Sequence, residues 1–217
     1  MRRADLRLDF TRYAVAWTYL SLFLVVELIC ARLPPHAQAA FLGWASTSVH
    51  NLRYDPFGSL VVSAFVSQGF ALAWPLLIAM AMFGANQVLG NWRTVAVCAA
   101  GQVMGTLVSE GIVAYRVSQG LLPGSDQNLI DVGPSYVVVS AIAVAVLYGS
   151  WLARAAAALD LALLVSVGNI FGGLSALNLS AVGHAIALAV GATGGSVLAW
   201  DRRRRRERST VQPRPAA

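Results

Sequence analysis

Long apolar runs recur along the chain, at residues 13–31, 60–83, 94–115, 134–149, 153–170 and 179–200. A helix needs about 20 apolar residues to cross hydrocarbon, so the pattern predicts six membrane-spanning helices and an all-α membrane fold. The fourth and fifth runs are short and separated only by Ser150, Trp151 and Leu152, which leaves a single kinked hairpin as the alternative there. Pro75 falls inside the second run and predicts a kink in it. Three parts follow: a cytoplasmic segment at 1–12, a membrane domain at 13–200 and a basic, disordered cytoplasmic tail at 201–217. Pro213 and Pro215 predict that the end of that tail is disordered.

Composition agrees with the pattern. The chain has 217 residues, of which 57% are hydrophobic and 12% charged, and its mean hydropathy is +0.63. That is too apolar for a soluble domain. All sixteen basic residues are Arg. Arg2, Arg3, Arg7 and Arg12 precede the first run, Arg93 lies between the second and third, Arg154 at the junction of the fourth and fifth, and Arg202 onward follows the last run. Arg32, Arg53 and Arg116 lie thinly on the other side, beside Asp55, Asp126 and Asp131. The positive-inside rule then places both termini in the cytoplasm and the 32–59 loop outside.

The high isoelectric point reflects flanks and tail, so a nucleic-acid partner is not expected, whereas the Arg202–Arg206 stretch and Arg208 suit anionic inner-leaflet lipids. A cleavable signal sequence is the competing reading of the N-terminus, but the first run is longer than a signal core and follows Asp5 and Asp9. Cys30 and Cys98 fall at opposite ends of their spans, so no disulfide is expected. His36 and His50 lack ligand spacing, so neither a metal nor another cofactor is expected. An Arg-only, Ala-rich chain is consistent with a GC-rich bacterial genome, and the predicted location is a bacterial plasma membrane, crossed several times.

Two residues carry candidate chemistry. Ser135 and His184 each sit about 6–8 Å below the same membrane boundary, near the starts of the fourth and sixth runs. A serine hydroxyl is a weak nucleophile until an adjacent imidazole takes its proton, and a Ser-His pair supplies acyl-transfer chemistry. Gly133 and Pro134 place Ser135 at a helix start, where unpaired N–H groups can support an oxyanion. Gly191 and Gly195 form a small-residue step on the last helix that lets another helix approach. The plain alternatives are a serine bonded to its own helix and a histidine bonded to a neighbouring one. Glu27, Glu110, His184 and Asp160 also admit a proton or solute path, although no internal repeat supports a transporter. Asp160 has Arg154 within reach as a partner along its own helix.

Gly133-Pro134-Ser135 at the start of a fourth span resembles the GxS motif of rhomboid intramembrane proteases. His184 followed by Gly191 and Gly195 is similar to that family's sixth-span histidine and glycine step. The resemblance runs from Tyr13 to Trp200 and implies a six-helix rhomboid-like bundle in which Ser135 attacks a peptide bond of a transmembrane substrate and His184 acts as base. The chain departs from the family in the second span, where residues 70–77 carry neither the histidine nor the asparagine of HxxxN. Gln68 is the nearest polar replacement for oxyanion support, beside Gly133. Tyr136 stands where a glycine usually follows the nucleophile, and Val139 where an aromatic usually stacks on the histidine. The motifs around residues 51–65 and 131–136 are similar to divergent actinobacterial rhomboid-like proteins. A catalytically silent relative that binds transmembrane helices is therefore the alternative to a protease.

Overall fold

The computed structural model describes residues 10–68 and 73–211. Nine α-helices follow one another there with no strand: α1 (Ala14–Cys30), α2 (Pro35–Ala45), α3 (Val49–Tyr54), α4 (Pro56–Ser63), α5 (Trp74–Leu89), α6 (Asn91–Ser118), α7 (Ser135–Tyr148), α8 (Trp151–Ser166) and α9 (Leu179–Val211). Short 3-10 turns at Gly124–Asn128 and Leu174–Ala176 complete the connections before α7 and α9. Among the described residues, two stretches are long and apolar enough to cross a membrane, Asn91–Ser118 and Leu179–Asp201, and α1, α5 and α7 are shorter apolar helices.

The boundaries have local causes. Asp55 caps α4 by accepting the Gly58 N–H at 2.9 Å, and Ser150 caps α8 by accepting the Ala153 N–H at 3.4 Å. One residue, Gly90, joins α5 to α6; its φ of 77° is a conformation that side-chain-bearing residues seldom adopt.

The second apolar run is not one helix. α4 stops at Ser63, residues 64–68 follow in turns, and α5 starts at Trp74, so the predicted helix at 60–83 is not one continuous helix. Pro75 sits in the first turn of α5, where its missing N–H costs nothing, and it begins a helix where a kink was expected. The fourth and fifth runs are two separate helices, and the fifth ends at Ser166, short of the predicted 170. The last helix continues past the predicted end of the membrane domain to Val211, so residues 201–211 extend α9 where a disordered tail is expected; Pro213 and Pro215 lie outside the described residues.

α7 is the centre of the bundle. Every residue from Tyr136 to Ala145 is buried, and α7 packs against α5, α6, α8 and α9. The α6–α9 and α7–α9 seams are the most extensive. At the inside of the α7–α9 seam a Cβ on Gly191 would overlap the Ser140 carbonyl oxygen, and one on Gly195 would press on Val144 and Tyr148. Both predicted glycines thus stand where α7 and α9 meet most closely. α1 packs on α5 and α6, with Tyr19 donating to the Ala64 carbonyl at 2.6 Å and Glu27 accepting the Ser67 N–H at 2.7 Å. These two bonds hold the irregular segment after α4 against α1.

Candidate functional site

Ser135 is the first residue of α7 and His184 the sixth of α9, so the packing of two N-terminal helix ends brings both toward one end of the bundle. Pro134 serves as the cap residue preceding that first turn. The Ser135 side chain is half-buried and lies beside Gly133. No hydrogen bond joins the Ser135 hydroxyl to His184 or to any other described residue. The segment before it is held firmly, because the Gly133 N–H donates to the Ser63 carbonyl at 3.0 Å. Ser63 in turn receives the Gln102 amide at 3.2 Å on its hydroxyl. The Gly133 amide is therefore already engaged, and the free donors near Ser135 are the N–H groups that the first turn of any helix leaves unpaired.

His184 is buried at 3% exposure. Its Nδ1 lies 3.0 Å from the Ile170 carbonyl and 3.3 Å from the Ser180 hydroxyl. A carbonyl oxygen can only accept, so Nδ1 carries the proton and donates it, and Nε2 is left with its lone pair. That Nε2 is buried and has no partner among the described residues. A buried polar atom without a partner is uncommon and calls for an explanation. In this tautomer Nε2 keeps the lone pair that a general base would need.

Tyr136 stands between the helices. Its ring packs edge-on against His184 with centroids 5.0 Å apart and planes at 73°. A Cβ on Gly183 would overlap the Tyr136 hydroxyl end, and one on Gly105 would come within 3.2 Å of its ring. Glycines on α9 and α6 thus make room for this side chain. The departure noted at Val139 is met from another position: Val139 is fully buried, and Tyr136 supplies the aromatic contact to the histidine.

The Tyr136 hydroxyl donates to Asp131 Oδ2 at 3.3 Å. Asp131 is clasped by the α2–α3 connection. Its carbonyl accepts the Thr47 N–H at 2.9 Å and the Thr47 hydroxyl at 3.0 Å, and its own N–H donates to the Ser46 hydroxyl at 2.9 Å. Burial pushes the Asp131 carboxyl above the usual carboxylate range, against the lowering effect of its bonds from Tyr136 and Thr47. Ser109 and Glu110 of α6 border the same cluster, with one Glu110 oxygen buried and without a partner among the described residues.

Other expectations fare differently. Gln68 is exposed in the turn after α4, and residues 69–72, which hold part of the 70–77 stretch, lie outside the described residues. The first turn of α5 is apolar. Asp160 does not pair with Arg154: the guanidinium donates to the Leu147 carbonyl at 2.9 Å, while both Asp160 oxygens are buried without a partner among the described residues. Cys30 and Cys98 are free thiols. No group of three or more His, Cys, Asp or Glu converges for a metal among the described residues. Sequence reasoning missed Asp131, the contact of Tyr136 with His184, and the Ile170 carbonyl. Glycines 105 and 183 were the available signal for Tyr136, while a backbone carbonyl leaves no signal at all.

Comparison with curated proteins and with solved structures finds no match. A family model described as rhomboid-like protein matches residues 10–201, from just before α1 into α9. That span takes in the helices that frame Ser135, Tyr136 and His184, and the chain belongs to the rhomboid-like family.

Proposed function

We propose that this rhomboid-like membrane protein is an intramembrane serine endopeptidase acting on transmembrane proteins, with Ser135 as nucleophile and His184 as general base. The observation that carries the reading is the His184 ring, whose Nδ1–H is fixed on the Ile170 carbonyl while its buried Nε2 lone pair is unpaired. The Ser135 hydroxyl proton passes to Nε2 as Oγ bonds to the substrate carbonyl carbon. The protonated imidazole then delivers that proton to the departing amine, and water hydrolyses the acyl-enzyme by the same route. The unpaired N–H groups at the start of α7 serve the oxyanion in place of side-chain donors. Contact between Oγ and Nε2 forms when substrate binds, as is common for catalytic hydrogen bonds that are long in the free enzyme.

In this reading α1, α5, α6, α7, α8 and α9 are six spans of a bacterial plasma-membrane protein with both termini in the cytoplasm. The Arg-rich end of α9 rests on anionic lipid. Exposed Leu22, Val25, Leu28 and Ile29 on α1 and Leu107 on α6 support a lipid-facing surface.

A second reading, a non-catalytic protein that binds transmembrane helices, is favoured by one observation. A cavity of about 560 Å³ lined by α1, α4 and α6 is almost wholly apolar and reaches Val137, two residues beyond Ser135. The test is reconstitution of the wild type, Ser135→Ala and His184→Ala in liposomes with single-span substrates, following cleavage by mass. Each variant is expected to lose turnover by a factor on the order of 10⁴. Absence of cleavage by the wild type, together with no fluorophosphonate adduct on Ser135, rejects the protease and leaves the helix-binding reading.

A further inference from the structure

We infer that Asp131 is a positioning residue for His184, acting through Tyr136. The inference rests on the proposed role of His184 as base and adds a part to that site. Three features carry it.

The Asp131 backbone is fixed from both sides by the α2–α3 connection, through Ser46 and Thr47, so its carboxylate has a defined place. That carboxylate accepts the Tyr136 hydroxyl at 3.3 Å and the Thr47 hydroxyl at 3.3 Å. The Tyr136 ring then meets the imidazole edge-on, in the geometry aromatic pairs prefer.

His184 is thereby held twice: at Nδ1 by the Ile170 carbonyl, and at the ring by Tyr136. The first contact sets which nitrogen carries the proton. The second limits how the ring tilts, and Asp131 limits where Tyr136 sits. Asp131 touches no reacting atom. It stands where a third group orients a catalytic base, with an aromatic ring in between. The arrangement also makes the α2–α3 connection part of the site, since Ser46 and Thr47 set the carboxylate. Gly183 fits this account, because a Cβ there would overlap the hydroxyl end of Tyr136, while Gly105 borders both the tyrosine ring and the Gly183 carbonyl where α6 and α9 meet.

The test uses the full chain in liposomes, with Tyr136→Phe, Asp131→Ala and the double variant. Tyr136→Phe keeps the ring and its packing and removes only the hydroxyl, which guards against loss of fold. Two quantities are read: the rate at which a fluorophosphonate labels Ser135, and the ¹⁵N resonances of the His184 ring. Each single variant is expected to slow labelling by on the order of tenfold to a hundredfold, since small displacements of a reacting group have effects of that size. The double variant is expected to be no slower than the slower single, because both changes break one bond. The His184 ring resonances are expected to shift in both singles.

Unchanged ring resonances in both single variants overturn the inference, and so do losses that multiply in the double variant. If the wild type fails to label while its His184 resonances respond to both changes, the positioning stands and only the catalytic reading falls.

Discussion

The two ends of the α7–α9 seam use glycine for opposite purposes. Around Gly191 and Gly195 the missing side chains let α7 and α9 close together, with the Ser140 backbone against Gly191. The Ser140 hydroxyl lies 2.8 Å from the Tyr136 carbonyl on its own helix and 3.1 Å from the Ala187 carbonyl on the other. Around Gly183 the missing side chain admits a tyrosine, and the polar atoms there are only partly paired. One region is a completed packing interface. The other leaves a buried imidazole nitrogen without a partner among the described residues, a cost that the proposed role of His184 as base would account for.

The contrast can be broken most forcefully at its closed end. Gly191→Ala drives a methyl group into backbone that cannot swing away, and it is expected to cost about 1–3 kcal/mol of stability, measured by unfolding in mixed micelles. Gly183→Ala meets the far end of a side chain. It is expected to cost less in the same measurement while slowing fluorophosphonate labelling of Ser135, because Tyr136 is displaced from His184. Equal stability losses at the two positions would remove the distinction between the regions.

A smaller effect comes from pH. Burial holds the Asp131 carboxyl above its ordinary value, near 3.9, so as pH rises the unfolded chain releases this proton before the folded one does. The stabilisation is complete below the ordinary value and is lost as pH rises through the raised folded value. Each unit of displacement is worth about 1.4 kcal/mol. The stability difference between wild type and Asp131→Asn should therefore change across that window and level off above it. A difference that stays flat from the ordinary carboxylate range to neutrality would show that Asp131 is not perturbed. The smallest effect is expected for Ser140→Ala, which removes one interhelical hydrogen bond in the closed region and should cost about 0.6 kcal/mol in the micelle measurement.

Much of this was legible in the chain before folding. The runs that became α1, α6, α7 and α9 were visible because hydrophobicity over a crossing length is a property of local sequence. Gly191 and Gly195 were legible because a small-residue step at helical spacing has few other uses. Ser135 and His184 stood out because polar and ionisable residues in apolar runs are expensive. The end of α4 at Ser63 was hidden, since it falls inside an apolar run. It is held instead by remote bonds, from Tyr19 to the Ala64 carbonyl and from the Ser67 N–H to Glu27.

The sequence by itself determined that this is an apolar, helical, rhomboid-like chain, and which helix ends carry the serine and the histidine. Those properties follow from composition, periodicity and motif, each read within a short window. The tertiary structure alone decided that Tyr136 packs against the imidazole and that the Ile170 carbonyl selects its tautomer. It also decided that Ser46 and Thr47 place Asp131, more than 80 positions away in the chain. Each of these depends on which helix lies beside which, and on backbone groups that are the same in every residue, so no local pattern could have announced them.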